Sequence, residues 1–422
     1  MKNDSLIHSD NIWSDIVLFL CLLTLISYGP SYHLAKTLFH CTALVAICGY
    51  AFNSHCRIQL KRFFTPPNWN VIALSIALAV VVILTSKSTE MVAVRFRSDL
   101  TSIIIPLIVI MPILKPTKKQ HWLIYAALIT ATLMLAAVGI ADYHLKQPAR
   151  YYRTSGSINL PIIYATSVAV VGSTTIAIAL QALLKNNYYI AAASGLAFIT
   201  AVLAIIYSGS RGPLLAIAIT SMIAMIYYSY KLKRKRLVVI SAIFISIASY
   251  CVYSYTPIGT RINNAIENTI TNPTSYSSSG TRIQLWQAGL SELSRHPLTG
   301  TGVAKHIDHF QERYESDPDF IDPRNIGFIH LHNDIINSLV WMGLLAGPLF
   351  LIGIYGPAIS SIIYITRRPE QVMSLCAGLT FIISGLTNTP AMRAAALLPY
   401  FLVVFLIFSL SNHEAPSENN SR

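Results

Sequence analysis

Residues 188–230 read YYIAAASGLAFITAVLAIIYSGSRGPLLAIAITSMIAMIYYSY. Two apolar runs, 188–207 and 212–230, flank a turn, Ser208-Gly-Ser-Arg-Gly-Pro213, which holds the only charged residue of the stretch, Arg211. About 20 apolar residues in helical form span the hydrocarbon core of a bilayer. A backbone that crosses lipid must satisfy its own donors and acceptors, as a helix does. Runs of the same kind recur near 12–28, 34–52, 68–85, 99–114, 122–141, 160–183, 237–255, 333–363, 371–388 and 394–411. The pattern predicts an all-α polytopic membrane protein of about twelve transmembrane helices, forming a single membrane domain over residues 1–422. The run at 99–114 is short and holds Pro106 and Pro112, while 333–363 is long enough to tilt or kink near Gly347-Pro348.

Composition excludes a soluble enzyme. The chain is 54% hydrophobic and 12% charged, with a mean hydropathy of +0.54, whereas soluble domains carry about a quarter charged residues. The first apolar run follows Asp10, contains Asp15 and has no small-x-small site after it, so it reads as a span and not as a cleaved signal. Lys and Arg favour the loops that face the cytoplasm when both termini lie inside, chiefly through Lys231-Leu-Lys-Arg-Lys-Arg236. That run reads as a stop-transfer flank and not as a nucleic-acid patch, so no nucleic-acid partner is expected. The net charge of +13 suits anionic membrane lipids. Of the six cysteines, five fall in apolar runs and none in the large loop, so no disulfide framework is expected. The tail 412–422 is polar and predicted to be disordered in the cytoplasm.

Between 256 and 331 the chain leaves the lipid, on the outer side by this orientation. The large loop is expected to be partly helical. Thr281 and Gln284 suggest a capping box for a helix with Ile283, Trp286, Leu290 and Leu293 on one face, ending before His296-Pro297. A second short helix is predicted over about 303–314, the two forming a lid against the membrane. The loop ends in His330-Leu-His-Asn-Asp334, directly before another apolar run.

Several residues could carry chemistry. Arg211 lies at a helix start between two glycines, a ready anion site, with an arginine snorkelling to headgroups as the plainer alternative. Arg282 is placed in the first turn of the loop helix, where a surface arginine would be unremarked. Arg150 and Arg153 precede another external turn, Ser155–Pro161, and Arg95 and Arg97 lie in a third. Arginines in external turns run against the positive-inside bias, so together they point to a polyanionic ligand. His332 beside such a cleft is a candidate general base, with His330 its local competitor and Asn333 adjacent. The spacing His306-x-x-His309-x-x-Glu312 could face three ligands to a metal, but a solvated helix face accounts for it better, and no metal or cofactor is expected.

At these residues the chain resembles the O-antigen ligase and polymerase superfamily of membrane glycosyltransferases. The resemblance rests on Arg153-x-x-Gly156-x-x-Asn159-x-Pro161, on Ser210-Arg-Gly212, on Arg282-x-x-x-Trp286 with His296-Pro-Leu-x-Gly300-x-Gly302, and on His332-Asn333 with Gly343. Ala346 departs from the family's usual pattern, which bears on helix packing and not on chemistry. The resemblance implies a metal-independent, inverting transfer of O-antigen from undecaprenyl diphosphate to a sugar of lipid A–core, in lipopolysaccharide biosynthesis. It places the protein in the bacterial inner membrane with a periplasmic active site. His332 would be the base, and Arg211 and Arg282 would hold the diphosphate. Three alternatives stay open: O-antigen polymerase, protein O-oligosaccharyltransferase and a lipid-linked glycan transporter. The single large loop favours ligase over polymerase, and the lack of visible repeat symmetry disfavours a transporter.

Overall fold

A computed structural model describes residues 4–63, 69–85, 88, 90–146, 153–231, 263, 278–363 and 369–411. Among them every regular element is helical. The helices are α1 (Asp4–Ser27), α2 (Tyr32–Phe52), α3 (Ser54–Phe63), α4 (Trp69–Thr85), α5 (Met91–Ile110), α6 (His121–Leu145), α7 (Pro161–Leu184), α8 (Tyr188–Ser208) and α9 (Arg211–Lys231). After the large loop's first part come α10 (Ser278–Arg295), α11 (His306–Ser316), α12 (Asp334–Ile363), α13 (Pro369–Gly385) and α14 (Ala394–Ser411). Six of the described helices are long and apolar enough to cross a membrane, namely α2, α6, α7, α8, α9 and α12. Shorter apolar helices lie within α1, α4, α13 and α14. The chain is a multi-pass membrane protein. The expected span at 237–255, the tail at 412–422 and Arg150 lie outside the described residues.

Every other predicted run coincides with a helix, with three corrections. Helix α5 starts at Met91, so Arg95 and Arg97 stand on a helix and not in a turn. There Arg97 donates to the carbonyl of Thr85, at the end of α4, over 2.6 Å, which satisfies an orphan helix carbonyl. The amphipathic α3 was not expected. Finally, α12 breaks at Gly343 and not at Gly347-Pro348.

Helix α7 is the centre of the bundle and packs on α6, α8, α9, α13 and α14. Its run of Ala, Ser, Thr and Gly lets neighbouring backbones approach closely. Its Ser and Thr hydroxyls turn back onto their own helix, as Thr174 does to Val171 O (2.6 Å) and Thr175 to Gly172 O (2.7 Å), so none of them is left unsatisfied in the interior. Helix α14 is buried along almost its whole length. Outer helices instead present Phe19, Ile83, Leu196, Leu215 and Leu345, all more than half exposed. A water-soluble protein would not tolerate that surface, and lipid solvates it.

The lid is joined to the bundle through the break in α12. Gly343 has φ 68° and ψ −177°, a conformation essentially restricted to glycine. The opened turn is filled by the loop after α10. Leu344 N–H donates to Pro297 O (2.8 Å), Leu345 N–H to Leu298 O (3.2 Å), Thr301 N–H to Val340 O (2.8 Å) and Gly302 N–H to Trp341 O (3.0 Å). A Cβ at Gly300 would stand 2.5 Å from Gly343 N, and one at Gly343 only 2.1 Å from Leu298 O. The motifs His296–Gly302 and Gly343 are therefore two halves of one interlock, in which loop backbone replaces the helix hydrogen bonds that the break removes.

Candidate functional site

The site is built where the lid meets the tops of α9, α12 and α13. Its base is the segment His330–Asp334, held from both sides. Leu331 N–H donates to Asn337 Oδ1 (3.1 Å), and Trp286 Nε1–H of α10 donates to Leu331 O (2.8 Å). Asn333 caps α12, its Oδ1 accepting from Ile335 N–H (2.9 Å) and Ile336 N–H (3.1 Å), while its Nδ2 reaches Leu386 O (3.1 Å). Asp334 is fully buried and accepts from Tyr355 Oη–H (2.8 Å) and from the Ala391 N–H. These contacts over-determine the segment and hold His332 at φ +53°, in the left-handed region that a non-glycine residue rarely adopts. Such strain persists where surrounding structure supports it, often at functional sites.

Three histidines converge here with distinct roles. His306 is buried, not on a solvated face. Its Nδ1 accepts from Trp341 Nε1–H (3.1 Å), so its Nε2–H donates to Phe328 O (3.0 Å). Burial holds it neutral, pushed down to about 4, and with both nitrogens engaged it is a structural residue. His330 Nε2 accepts from Arg393 Nη2 (3.0 Å). Burial, then the Arg393 charge, pushes it down to about 3, and the lone pair it would need as a base faces an arginine. His332 differs. It shares a side-chain hydrogen bond with Asn388 and has no arginine on its lone pair, while its buried Nδ1, like that of His330, has no hydrogen-bond partner among the described residues. Burial, then the positive charge of Arg282, keeps it below the ordinary histidine value, so the ring is the free base at neutral pH.

The arginines gather on the other side of His332. Trp286 anchors α10 to Leu331, and Arg282 lies one turn before it on the same helix face. The Arg282 guanidinium is destabilised by burial, then by Arg211 and Arg153. Among the described residues no carboxylate pairs with it. Arg153 is tied to the turn that carries Arg211, donating through Nε to Ser208 O (2.7 Å) and through Nη2 to Ser210 Oγ (3.1 Å). That turn is roofed by the segment after α13, since a Cβ on Gly212 would lie 2.0 Å from Thr387 Oγ1. The geometry thus brings together Arg153, Arg211, Arg282 and His332, with Asn333 as the helix cap beneath them. Arg97 is engaged elsewhere, at Thr85. Helix α10 begins at or before Ser278, so Thr281 is no cap and Arg282 stands a turn deeper than expected.

Residues 196–351 match the O-antigen ligase family. No curated protein matches the chain. The family match spans Arg211, Arg282, His332 and Gly343, which bears out the resemblance read from the motifs and supports ligase- or polymerase-type chemistry on lipid-linked polysaccharide in general terms. Arg153, Asn388 and Arg393 lie outside the matched segment but inside the site. The last two are not among the residues singled out from the sequence. Arg393 shows the same signal as Arg211, an arginine in a short turn between apolar runs. Asn388 shows none, because only the fold brings it to His332.

Arg393 begins a second basic patch. Burial, then Arg95, lowers its guanidinium, with Asp99 acting the other way. This patch holds a carboxylate, whereas no carboxylate among the described residues pairs with Arg282.

Proposed function

We propose that the protein is an O-antigen ligase, transferring undecaprenyl-diphosphate-linked O-antigen to a sugar hydroxyl of lipid A–core at the periplasmic face of the bacterial inner membrane. The observation that carries this reading is the buried Arg282, unpaired among the described residues and facing two more arginines beside a neutral histidine. Buried cations without counter-ions are costly and call for an anion from outside. A diphosphate at the end of a prenyl chain supplies that anion at the depth where the arginines lie. Arg211 and Arg282 bind it through forked contacts, and Arg153 holds the turn that positions Arg211.

In the reaction His332 takes the proton of the acceptor hydroxyl while that oxygen attacks the anomeric carbon. The bond from that carbon to the diphosphate oxygen breaks as the new glycosidic bond forms on the opposite face, inverting the centre. The leaving diphosphate remains on its prenyl carrier, its charge stabilised by the arginines. The proton on His332 is then released to solvent or product. The diphosphate ester supplies the driving force, and arginines do the electrostatic work that a divalent cation performs elsewhere.

The nearest rival is an O-antigen polymerase, which uses the same groups with a growing glycan as acceptor. Gel analysis of lipopolysaccharide from a deletion strain separates the two. Loss of a ligase leaves core without O-antigen while polymer accumulates on its lipid carrier. Core bearing a single repeat unit would instead assign the protein as a polymerase. Complementation by the wild-type gene but not by His332→Ala ties either phenotype to this site.

A further inference from the structure

The far end of the lid helix carries a second cluster that the proposed reaction does not use. Glu292 and His296 lie four residues apart at the end of α10, and His309 comes from α11. One ligand atom from each can be chosen so that all lie within 4.8 Å of one another. Glu292 Oε2 and His309 Nδ1 are 3.7 Å apart, and the rings of His296 and His309 meet edge to face at 5.1 Å between centroids. The Glu292 side chain is fully buried, yet Oε2 has no hydrogen-bond partner among the described residues. Its other oxygen is engaged, with Arg313 Nη1 at 3.4 Å and Arg295 Nη1 at 3.8 Å. A buried carboxylate oxygen aimed at two imidazoles and satisfied by neither needs an explanation.

We propose that Glu292, His296 and His309 form a binding site for a divalent transition metal of the Zn²⁺ class, which clips α11 to the end of α10. Two imidazole nitrogens and one carboxylate oxygen are a common zinc set, with a fourth position left for water. Zinc bonds of about 2.0–2.1 Å put tetrahedral ligand atoms roughly 3.4 Å apart. The Glu292–His309 pair is close to that separation already, and a small rotation of one imidazole closes the rest. Mg²⁺ and Ca²⁺ favour all-oxygen shells and do not suit this set. The neighbouring arginines do not forbid a cation. Arg295 is 54% exposed and free to turn to solvent, and Arg313 is held against Ser291 Oγ and over the Phe320 ring, 3.9 Å from its centre.

The site is not the catalytic one. Ten residues of helix, about 15 Å, separate Glu292 from Arg282. Its effect is on the lid, because it ties together the two helices that flank the loop threaded into α12.

The test uses the full-length protein in detergent, stripped with chelator and then titrated with Zn²⁺ by calorimetry, with bound metal counted by elemental analysis after gel filtration. One equivalent of Zn²⁺ is expected, with Tm rising by a few degrees at saturation and no response to Mg²⁺ or Ca²⁺. Co²⁺ should give the intense visible bands of a tetrahedral site. His296→Ala and His309→Ala should each lose the equivalent, and His309→Gln provides a milder variant should the alanine fail to fold. Absence of stoichiometric binding would overturn the proposal. So would undiminished binding in the His296→Ala/His309→Ala double variant, which would place the metal on other histidines.

Discussion

The two ends of α10 treat charge in opposite ways. At the C-terminal end Glu292 is buried among Arg295, Arg313 and His309, so opposite charges meet inside the protein. Toward the N-terminal end Arg282 is buried beside Arg211 and Arg153, and among the described residues no carboxylate answers it. One end answers a single carboxylate oxygen with arginines of the lid itself, which suits a structural contact. The other gathers three arginines where burial makes charge most costly, and on the proposed function a bound anion offsets it. The comparison separates the part of the lid that holds its shape from the part that meets the substrate.

The largest effect is expected at His332, which lies beside Arg282. His332→Ala should lower the rate of transfer from a lipid-linked donor by about 10²–10⁴-fold, the usual range for loss of a general base. Its Tm should match wild type, because the segment is held by Trp286, Asn337 and the Asn333 cap and not by the imidazole. A variant that retained near-wild-type turnover would remove the base from His332. Substitution at His330 should act differently, by freeing Arg393.

Next comes the contrast between arginines on the same helix. Arg282→Ala should cost about 10²–10³-fold in kcat/KM, and Arg282→Lys should recover only part of that, because an ammonium lacks the two-pronged donor geometry. Arg295→Ala, one helix end away, should change turnover less than twofold. Steady-state assays of the three variants at matched donor concentration measure the contrast directly. Equal losses at both ends would mean that charge in the lid matters only in bulk.

Gly343→Ala tests the joint between lid and bundle. The added methyl would lie 2.1 Å from Leu298 O, at a backbone conformation suited to glycine, so the variant should lose about 3 kcal/mol or more. A thermal melt in detergent should show that loss. A Gly343→Ala protein with wild-type Tm would mean that the loop does not thread the break.

Much of this could be read before any contact was known, and the parts that could not share a cause. Apolar runs mark helices in lipid because hydropathy alone decides solvation, and Arg211 was visible as a charge in an unlikely place, whereas Arg282 taken alone read as a surface arginine. The buried face of α10 was half legible. Of the expected Ile283, Trp286, Leu290 and Leu293, Trp286 and Leu293 pack against the core, but Leu290 is 48% exposed, and Leu285, Ala288, Gly289 and Glu292 are the buried residues. Against a membrane bundle, small residues mark close packing better than large apolar ones do. His306 looked solvated because its partners, Trp341 and the Phe328 carbonyl, lie 35 and 22 residues away. The metal-like spacing His306–His309–Glu312 likewise gave way to a cluster drawn from two helices, which no single-helix period reveals. The reason Gly343 accompanies Gly300 and Gly302 is a backbone pairing across some forty residues, and a motif records such a pairing without explaining it.

The smallest effect, and the most discriminating, is in pH dependence. His332 acts as a base only when neutral, and burial with Arg282 nearby holds its pKa below the ordinary 6.5. The acid limb of kcat/KM, which reports the free protein, should therefore lie below pH 6.5. Removing the positive neighbour with Arg282→Gln should raise the pKa and move the limb to higher pH. The Asn388 hydrogen bond favours the protonated ring, so Asn388→Leu should move the limb to lower pH. Opposite displacements from two variants cannot arise from a general loss of fold. Acid also weakens the fold itself, and the sign is fixed by His306 and His330, held neutral down to about 4 and about 3. Below pH 6.5 the unfolded chain takes up protons at these rings and the native one does not, so stability falls as pH falls toward those values. Melting curves at each pH separate that loss from the kinetic limb. If both variants shifted the limb the same way, the neutral base between an arginine and an asparagine would not be the group that titrates.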